Sequence, residues 1–312
     1  MGVIEIRKAE RKGARLLIGL AGASGGGKTR SALRLAYGLA NGDASKIGLL
    51  DTENRRGSLY ADKLPCGKPF MIGDLLPPFS PHRYIESIKA FEKAGVEVLI
   101  IDSVTHEWEG EGGCQEIAEN NKLGGMPNWS LAKGEHKRFV NALLYSNMHV
   151  IVCLRAREKS RPVKVFDEKS GKEKTEIVND GLTPITEKNF LFEMTASLMV
   201  IEQGTAQTII KCPDDLMPYL GRQTGYLTED DGASIRRWVD GLGDPEIERI
   251  RGLLEETCER GTDALKAAWE ATPNTMRQKL GGKTYIDMLK VSAAEYDKPT
   301  TEVANDNEEV EI

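Results

Sequence analysis

Residues 22–29 read Gly-Ala-Ser-Gly-Gly-Gly-Lys-Thr, a G-x-x-x-x-G-K-[ST] pattern. An apolar run, Leu16-Leu17-Ile18-Gly19-Leu20, precedes it, and a helical stretch from Lys28 to about Asn41 follows. Strand, glycine loop, helix is the order in which such a loop cradles phosphate. Each residue type has a physical reason. Gly22, Gly25, Gly26 and Gly27 let the backbone turn tightly, with no Cβ between its N–H groups and an anion; Ala23 and Ser24 complete the loop. The helix adds the positive end of its dipole and its unpaired N–H groups. Lys28 is placed to reach the β- and γ-phosphates, and Thr29 to offer its hydroxyl to Mg²⁺. A bare glycine-rich turn would leave the flanking strand and helix unexplained. An α/β fold that binds a nucleoside triphosphate is expected, with ATP and Mg²⁺ as cofactors.

The chain has 312 residues, room for one large domain and a small one. With 40% hydrophobic and 29% charged residues it reads as an ordinary soluble globular protein. No apolar run approaches the roughly 18 residues needed to span a bilayer, and Met1 to Arg15 lacks a signal-peptide core. A cytoplasmic protein without membrane contact is expected. The five cysteines, Cys66, Cys114, Cys153, Cys212 and Cys258, form no C-x-x-C pair, and the four histidines do not cluster with them along the chain. Free thiols and no zinc site are the simple reading. A net charge of −6 excludes a globally basic nucleic-acid coat, which leaves local charge to decide.

Residues 1–14 form a basic arm, and 15–241 carry the strand and helix alternation of an α/β domain. The run Ile47-Gly48-Leu49-Leu50 ends in Asp51-Thr52-Glu53, and a short strand is predicted around Phe70–Ile72. Ser80-Pro81 opens a helix to about Ala94. Val96-Glu97-Val98-Leu99-Ile100-Ile101-Asp102 reads as a central parallel strand buried on both faces, and its terminal Asp102 as a second holder of Mg²⁺. Residues 105–130 are polar and glycine-rich, a long open loop, and are followed by a helix from Ser130 to about Asn147. A strand from His149 to Leu154 leads to Arg155. Beyond it Arg157, Lys159, Arg161, Lys164, Lys169, Lys172 and Lys174 concentrate on a predicted β-hairpin, suited to a nucleic-acid backbone or simply solvated. Strands near Leu191–Ile201 and Ala206–Lys211 finish the sheet, followed by a short helix carrying Ile235 and Trp238. Residues 245–296 read as a three-helix accessory module and 297–312 as a disordered acidic tail.

Asp51-Thr52-Glu53, Asp102-Ser103-Val104 and the polar Arg155 beyond a strand end resemble the RecA-like ATPases. The pattern is closest to the short RecA-like (Sak-type) proteins of bacteriophages, associated with single-strand annealing and recombination. Residues 22–29, 49–55 and 101–113, the last holding Trp108-Glu109-Gly110-Glu111-Gly112-Gly113, carry that likeness. The resemblance implies a RecA-like core with a central, mostly parallel sheet. It also implies Glu53 as the base for the attacking water. At the position of Arg155 RecA proteins place a glutamine that senses the γ-phosphate, a role an arginine can also fill. By the same likeness two segments, 105–130 and 156–188, would hold single-stranded DNA. Trp108 would either stack on a base or pin its segment to the core. Lys211 or Arg222 would complete a neighbour's site, which makes a homo-oligomer, ring or filament, part of the expectation.

The reading is an ATPase that binds single-stranded DNA in recombination or annealing. Residues 245–312 are available to a single-strand-binding or other recombination protein. Two alternatives stay open: an ATP-gated loader without significant hydrolysis, and a phosphotransferase acting on a small molecule.

Overall fold

A computed structural model of the chain describes residues 8–9, 13–167, 172–242 and 245–297. The chain divides into two compact units, residues 1–241 and 242–312. In the first unit the strands are β1 (Leu17–Gly22), β2 (Ile47–Asp51), β3 (Met71–Asp74), β4 (Val98–Asp102), β5 (His149–Asp167), β6 (Lys172–Pro184), β7 (Ala196–Ile201) and β8 (Ala206–Lys211). The helices are α1 (Lys28–Leu39), α2 (Pro81–Lys93), α3 (Thr105–Glu109), α4 (Cys114–Asn120), α5 (Trp129–Leu144), α6 (Phe190–Glu193), α7 (Met217–Leu220) and α8 (Glu229–Val239). The sheet runs β3-β2-β4-β5-β1-β7-β8, with β6 paired to β5 off that path. All pairs from β3 to β7 are parallel, whereas β7–β8 and β5–β6 are antiparallel. The expected fold class is what the chain adopts: an α/β core on a central, mostly parallel sheet.

Residues along β1, β2 and β4 are buried throughout, so successive side chains feed two cores rather than one. Ile18, Leu20, Leu49, Ile100 and Ile151 face α1 and α8 through Leu35, Ala36, Leu39 and Ile235. Leu17, Leu50, Leu99, Ile101 and Val152 face α2 and α5 through Tyr84, Ile88, Phe139 and Leu143. Contact between α1 and α8 is close because glycines meet there. A Cβ on Gly38 would run into the backbone of Glu229 and Ala233, and one on Gly232 into the Leu35 carbonyl. Gly38→Ala is therefore expected to cost about 1–3 kcal/mol, measured as a lower urea midpoint. An unchanged midpoint would contradict this packing.

Four expectations are corrected. Residues 105–130 are not one open loop, since α3 and α4 occupy much of them. Their polar residues hide a small interior of Cys114, Ala118 and Ala132, with Trp108 and Ile117 packed against it. The strand expected near Leu191–Ile201 starts only at Ala196, because residues 190–193 form α6 with Phe190 buried. Among the described residues the helical unit has four helices rather than three: α9 (Pro245–Cys258), α10 (Thr262–Ala271), α11 (Asn274–Lys279) and α12 (Gly282–Tyr296). Its core is built on Ile250, Leu254, Leu265, Leu280, Ile286 and Leu289. Asp297 belongs with this unit and not with a tail: its carboxylate accepts from the Thr262 backbone N–H and hydroxyl at the start of α10. The rest of the expected tail, 298–312, lies outside the described residues, as does most of the basic arm.

Candidate functional site

Strand register assembles the site. Gly22 stands opposite Arg155, Asp51 opposite Asp102, and Asp102 opposite Cys153. The carboxyl ends of β1, β2 and β4, together with the point on β5 where it passes beyond them, thus deliver the glycine loop, the acids and the arginine to one edge of the sheet. That edge is where open α/β sheets bind ligands. A cleft of about 220 Å³ opens there, lined by Gly25, Lys28, Thr29, Glu53, Asp102 and Arg155 among others.

Within the loop, Gly25 and Gly27 have φ of +74° and +94°, the left-handed region that favours glycine. Gly27 is also the residue before α1, and a Cβ there would collide with the Gln203 backbone. Lys28 is buried, and its Nζ donates to the carbonyls of Gly22 (3.0 Å) and Ala23 (2.9 Å). The Thr29 hydroxyl donates to Asp102 Oδ2 at 2.5 Å. Burial drives the Asp102 carboxyl up to about 6. The nearby Glu53 and Asp51 charges also raise it, and the Thr29 hydrogen bond and Lys28 oppose the rise. A carboxylate and a hydroxyl side by side, short of positive charge, are the oxygen donors a Mg²⁺ ion takes. The residues present fit ATP and Mg²⁺: a glycine cradle, a lysine within it, and Thr29 with Asp102 as metal donors.

Glu53 is held by Arg155, whose Nε donates to Glu53 Oε1 at 2.9 Å and whose Nη2 stands 2.8 Å from the same oxygen. Arg56 approaches the other carboxylate oxygen at 3.7 Å. Sequence reasoning gave Asp51, Thr52 and His106 no separate role, yet they shape this corner. Asp51 accepts from the backbone N–H groups of Glu53 (2.6 Å) and Gly57 (2.7 Å), which fixes the turn that carries Glu53. The Thr52 hydroxyl donates to the Ser103 carbonyl and accepts from the Ser103 N–H, tying β2 to β4 beyond their ends. His106 Nδ1 lies 2.8 Å from the same hydroxyl. Burial, and then the Arg155 cation, push the His106 imidazole down, so it is neutral at pH 7. The signal available was position, since Asp51 and His106 flank the residues that were singled out.

The residues expected at DNA are only partly gathered. Trp108 stacks on Trp129 with centroids 6.3 Å apart, and together with Gln115, Arg157, Lys159 and residues 183–186 it lines a second cleft of about 190 Å³. Trp108 therefore packs on the interior and also borders a cavity. The expected hairpin forms, but longer than expected, and its cations have acidic neighbours. Arg161 pairs with Asp180 at 2.9 Å, Lys164 with Glu173 at 3.2 Å, and Arg157 lies 3.8 Å from Glu109. Lys174 is also partnered. Lys169 lies outside the described residues, and of Lys172 only the backbone is described. Lys211 donates to the carbonyls of Phe192 and Met194, and Arg222 clamps Asp231 and the Tyr226 carbonyl. Both candidates for a neighbour's site are thus engaged within their own chain.

Histidines and cysteines that do not cluster along the chain do meet in space. His136 Nδ1 stands 2.9 and 3.1 Å from the Glu107 oxygens, and the Cys114 thiol donates to Glu107 Oε1 at 3.2 Å. Helix packing joins residues 7 and 29 positions apart, which no short motif could reveal.

Fold and site together define a P-loop nucleotide-binding ATPase domain. The family described as AAA domain matches residues 14–183, and the chain belongs to that family. No curated protein matches the sequence. Among solved structures, a KaiC-like protein, PH0186, from the hyperthermophilic archaeon Pyrococcus horikoshii OT3 is similar. It is 14% identical, over 58% of this chain and 100% of that one, with a TM-score of 0.29. Among the described residues no helix is long and apolar enough to cross a membrane.

Proposed function

We propose that the chain is a RecA-like, ATP- and Mg²⁺-dependent ATPase of the short bacteriophage type, which binds single-stranded DNA in recombination or annealing. The observation that carries the reading is the Glu53–Arg155 pair beside Lys28, Thr29 and Asp102. A carboxylate at that place orients a water and accepts its proton. Arg155 holds that carboxylate and is also the cation nearest it for a γ-phosphate, so one guanidinium serves two anions. Bound Mg²⁺, held by Thr29 and Asp102, supplies charge neutralisation at the phosphates.

Support for the DNA half comes from α3. The Arg155 backbone N–H donates to Thr105 Oγ1 at 2.9 Å, and His106 meets Thr52. Two residues on, Trp108 borders the cleft with Arg157 and Lys159. One short helix thus touches both the residues that handle nucleotide and an aromatic, cationic cleft of the kind that stacks bases and tracks phosphates. The same reading has the chain acting as a homo-oligomer, with Lys211 or Arg222 released from its own chain to reach a neighbour.

The test is single-stranded DNA binding across a salt series. Affinity should fall with salt at a slope of about −0.7 per phosphate contact. The double variant Arg157→Ala, Lys159→Ala should flatten the slope by more than one contact. Absence of binding at low salt, or an unchanged slope in the variant, would remove the DNA half and leave the ATPase standing.

A further inference from the structure

Beneath Trp108, α3, α4 and α5 bring Glu107, Cys114 and His136 together, with one donor atom from each inside a 4.8 Å span. All three are nearly or fully buried, at 1%, 0% and 6% exposure. None of them lines the nucleotide cleft.

Charge is the difficulty at this cluster. A buried carboxylate is costly unless a positive charge compensates it. Among the described residues, the one ion-pair partner of Glu107 is His136. If His136 carries both protons, the charge is met, but its Nε2 is buried with no hydrogen-bond partner. If it carries one, on Nδ1, Glu107 keeps an uncompensated charge. The Cys114 thiol donates to Glu107 Oε1 at 3.2 Å but brings no positive charge.

A divalent cation would meet the charge. Carboxylate and thiolate together would carry two negative charges, and neutral His136 would bind through Nδ1 with its proton on Nε2, in a ring packed edge to face with Trp108 and Phe190 at centroid distances of 5.3 and 5.4 Å. One sulfur, one imidazole nitrogen and one carboxylate oxygen make a donor set of the zinc type, unlike the all-oxygen sets of Mg²⁺ and Ca²⁺. The Ala132 carbonyl, 3.6 Å from Cys114 Sγ, is a further oxygen at the place. We propose that Glu107, Cys114 and His136 form a structural Zn²⁺ site that staples α3, α4 and α5 together. On binding, the thiol proton would leave to solvent and His136 Nδ1 would give up its proton, to solvent from a doubly protonated ring or by a tautomer shift to Nε2 from a neutral one, and no other covalent bond changes. The ion would fix the helix that carries Trp108 without touching nucleotide.

The experiment is metal analysis of the full-length protein, loaded with Zn²⁺ alone and passed through a desalting column. About one zinc per chain is expected. Cys114→Ser and His136→Gln should each retain less than a tenth of that, while Cys258→Ser, which removes a buried thiol of the helical unit, should retain it. Equal zinc in wild type and Cys114→Ser, or almost none in wild type, would overturn the site. In case either variant fails to fold, Co²⁺ is loaded into the wild-type protein. A thiolate-to-cobalt charge-transfer band supports the site, and bound cobalt without that band refutes it.

Discussion

Glu53→Gln is expected to lower ATP turnover by about 10²–10⁴-fold while leaving ATP affinity within a few fold. Glutamine keeps the shape of the side chain and an oxygen that can accept from Arg155, so the corner built by Asp51 and Arg155 should stay in place. What it loses is the ability to take a proton from water. Phosphate release measures the first effect, and equilibrium titration with a fluorescent ATP analogue measures the second. If turnover is already negligible in the wild type, the ATP-gated loader becomes the better account. If the variant turns over at the wild-type rate, Glu53 is not the base.

Asp102→Asn separates function from stability. Its carboxyl, ordinarily at 3.8, sits at about 6 in the folded chain. The folded state therefore resists ionisation that the unfolded state accepts. Stability from this group is intact below pH 4, is lost as the pH rises from about 4 to 6, and stays lost above. At 1.36 kcal/mol per pH unit the full effect is about 3 kcal/mol. Without Mg²⁺ or nucleotide, the variant should be more stable than wild type at pH 7 by up to about that amount. The two should converge near pH 4, as read from urea unfolding at a series of pH values. Added Mg²⁺ should narrow the gap at pH 7, because it supplies the missing charge. A variant less stable than wild type at pH 7 would show that Thr29 already compensates Asp102 fully. Either way the variant should lose ATP turnover, since a metal donor has gone.

The glycine loop and the acid at the end of β4 were legible because local chemistry dictates them. Only glycine suits φ of +94° at residue 27, and a β-branched run ending in aspartate reads as a buried strand whatever surrounds it. Arg155 was singled out as a polar residue past a strand end, but β5 runs on through it to Asp167, and its partner was not legible: Glu53 is 102 positions away, and only the parallel register of β2, β4 and β5 unites them. The segment 105–130 misled because glycine and acid content read as loop. Glu107 is an acid in the interior, and two short helices too brief for a periodic signal surround it. Lys211 and Arg222 show the limit of composition: charge count cannot tell an offered cation from one already clamped to Asp231 or capping backbone carbonyls.

The central claim is that the nucleotide bound at Lys28, Thr29 and Asp102 is read out at the cleft beside Trp108. Its most direct test is the affinity for a single-stranded oligonucleotide at one fixed salt concentration, with Mg²⁺ and either ADP or a non-hydrolysable ATP analogue. An affinity that differs several-fold between the two nucleotides, with the difference abolished in Arg155→Ala, is the predicted result. Equal affinity in both nucleotide states would contradict it.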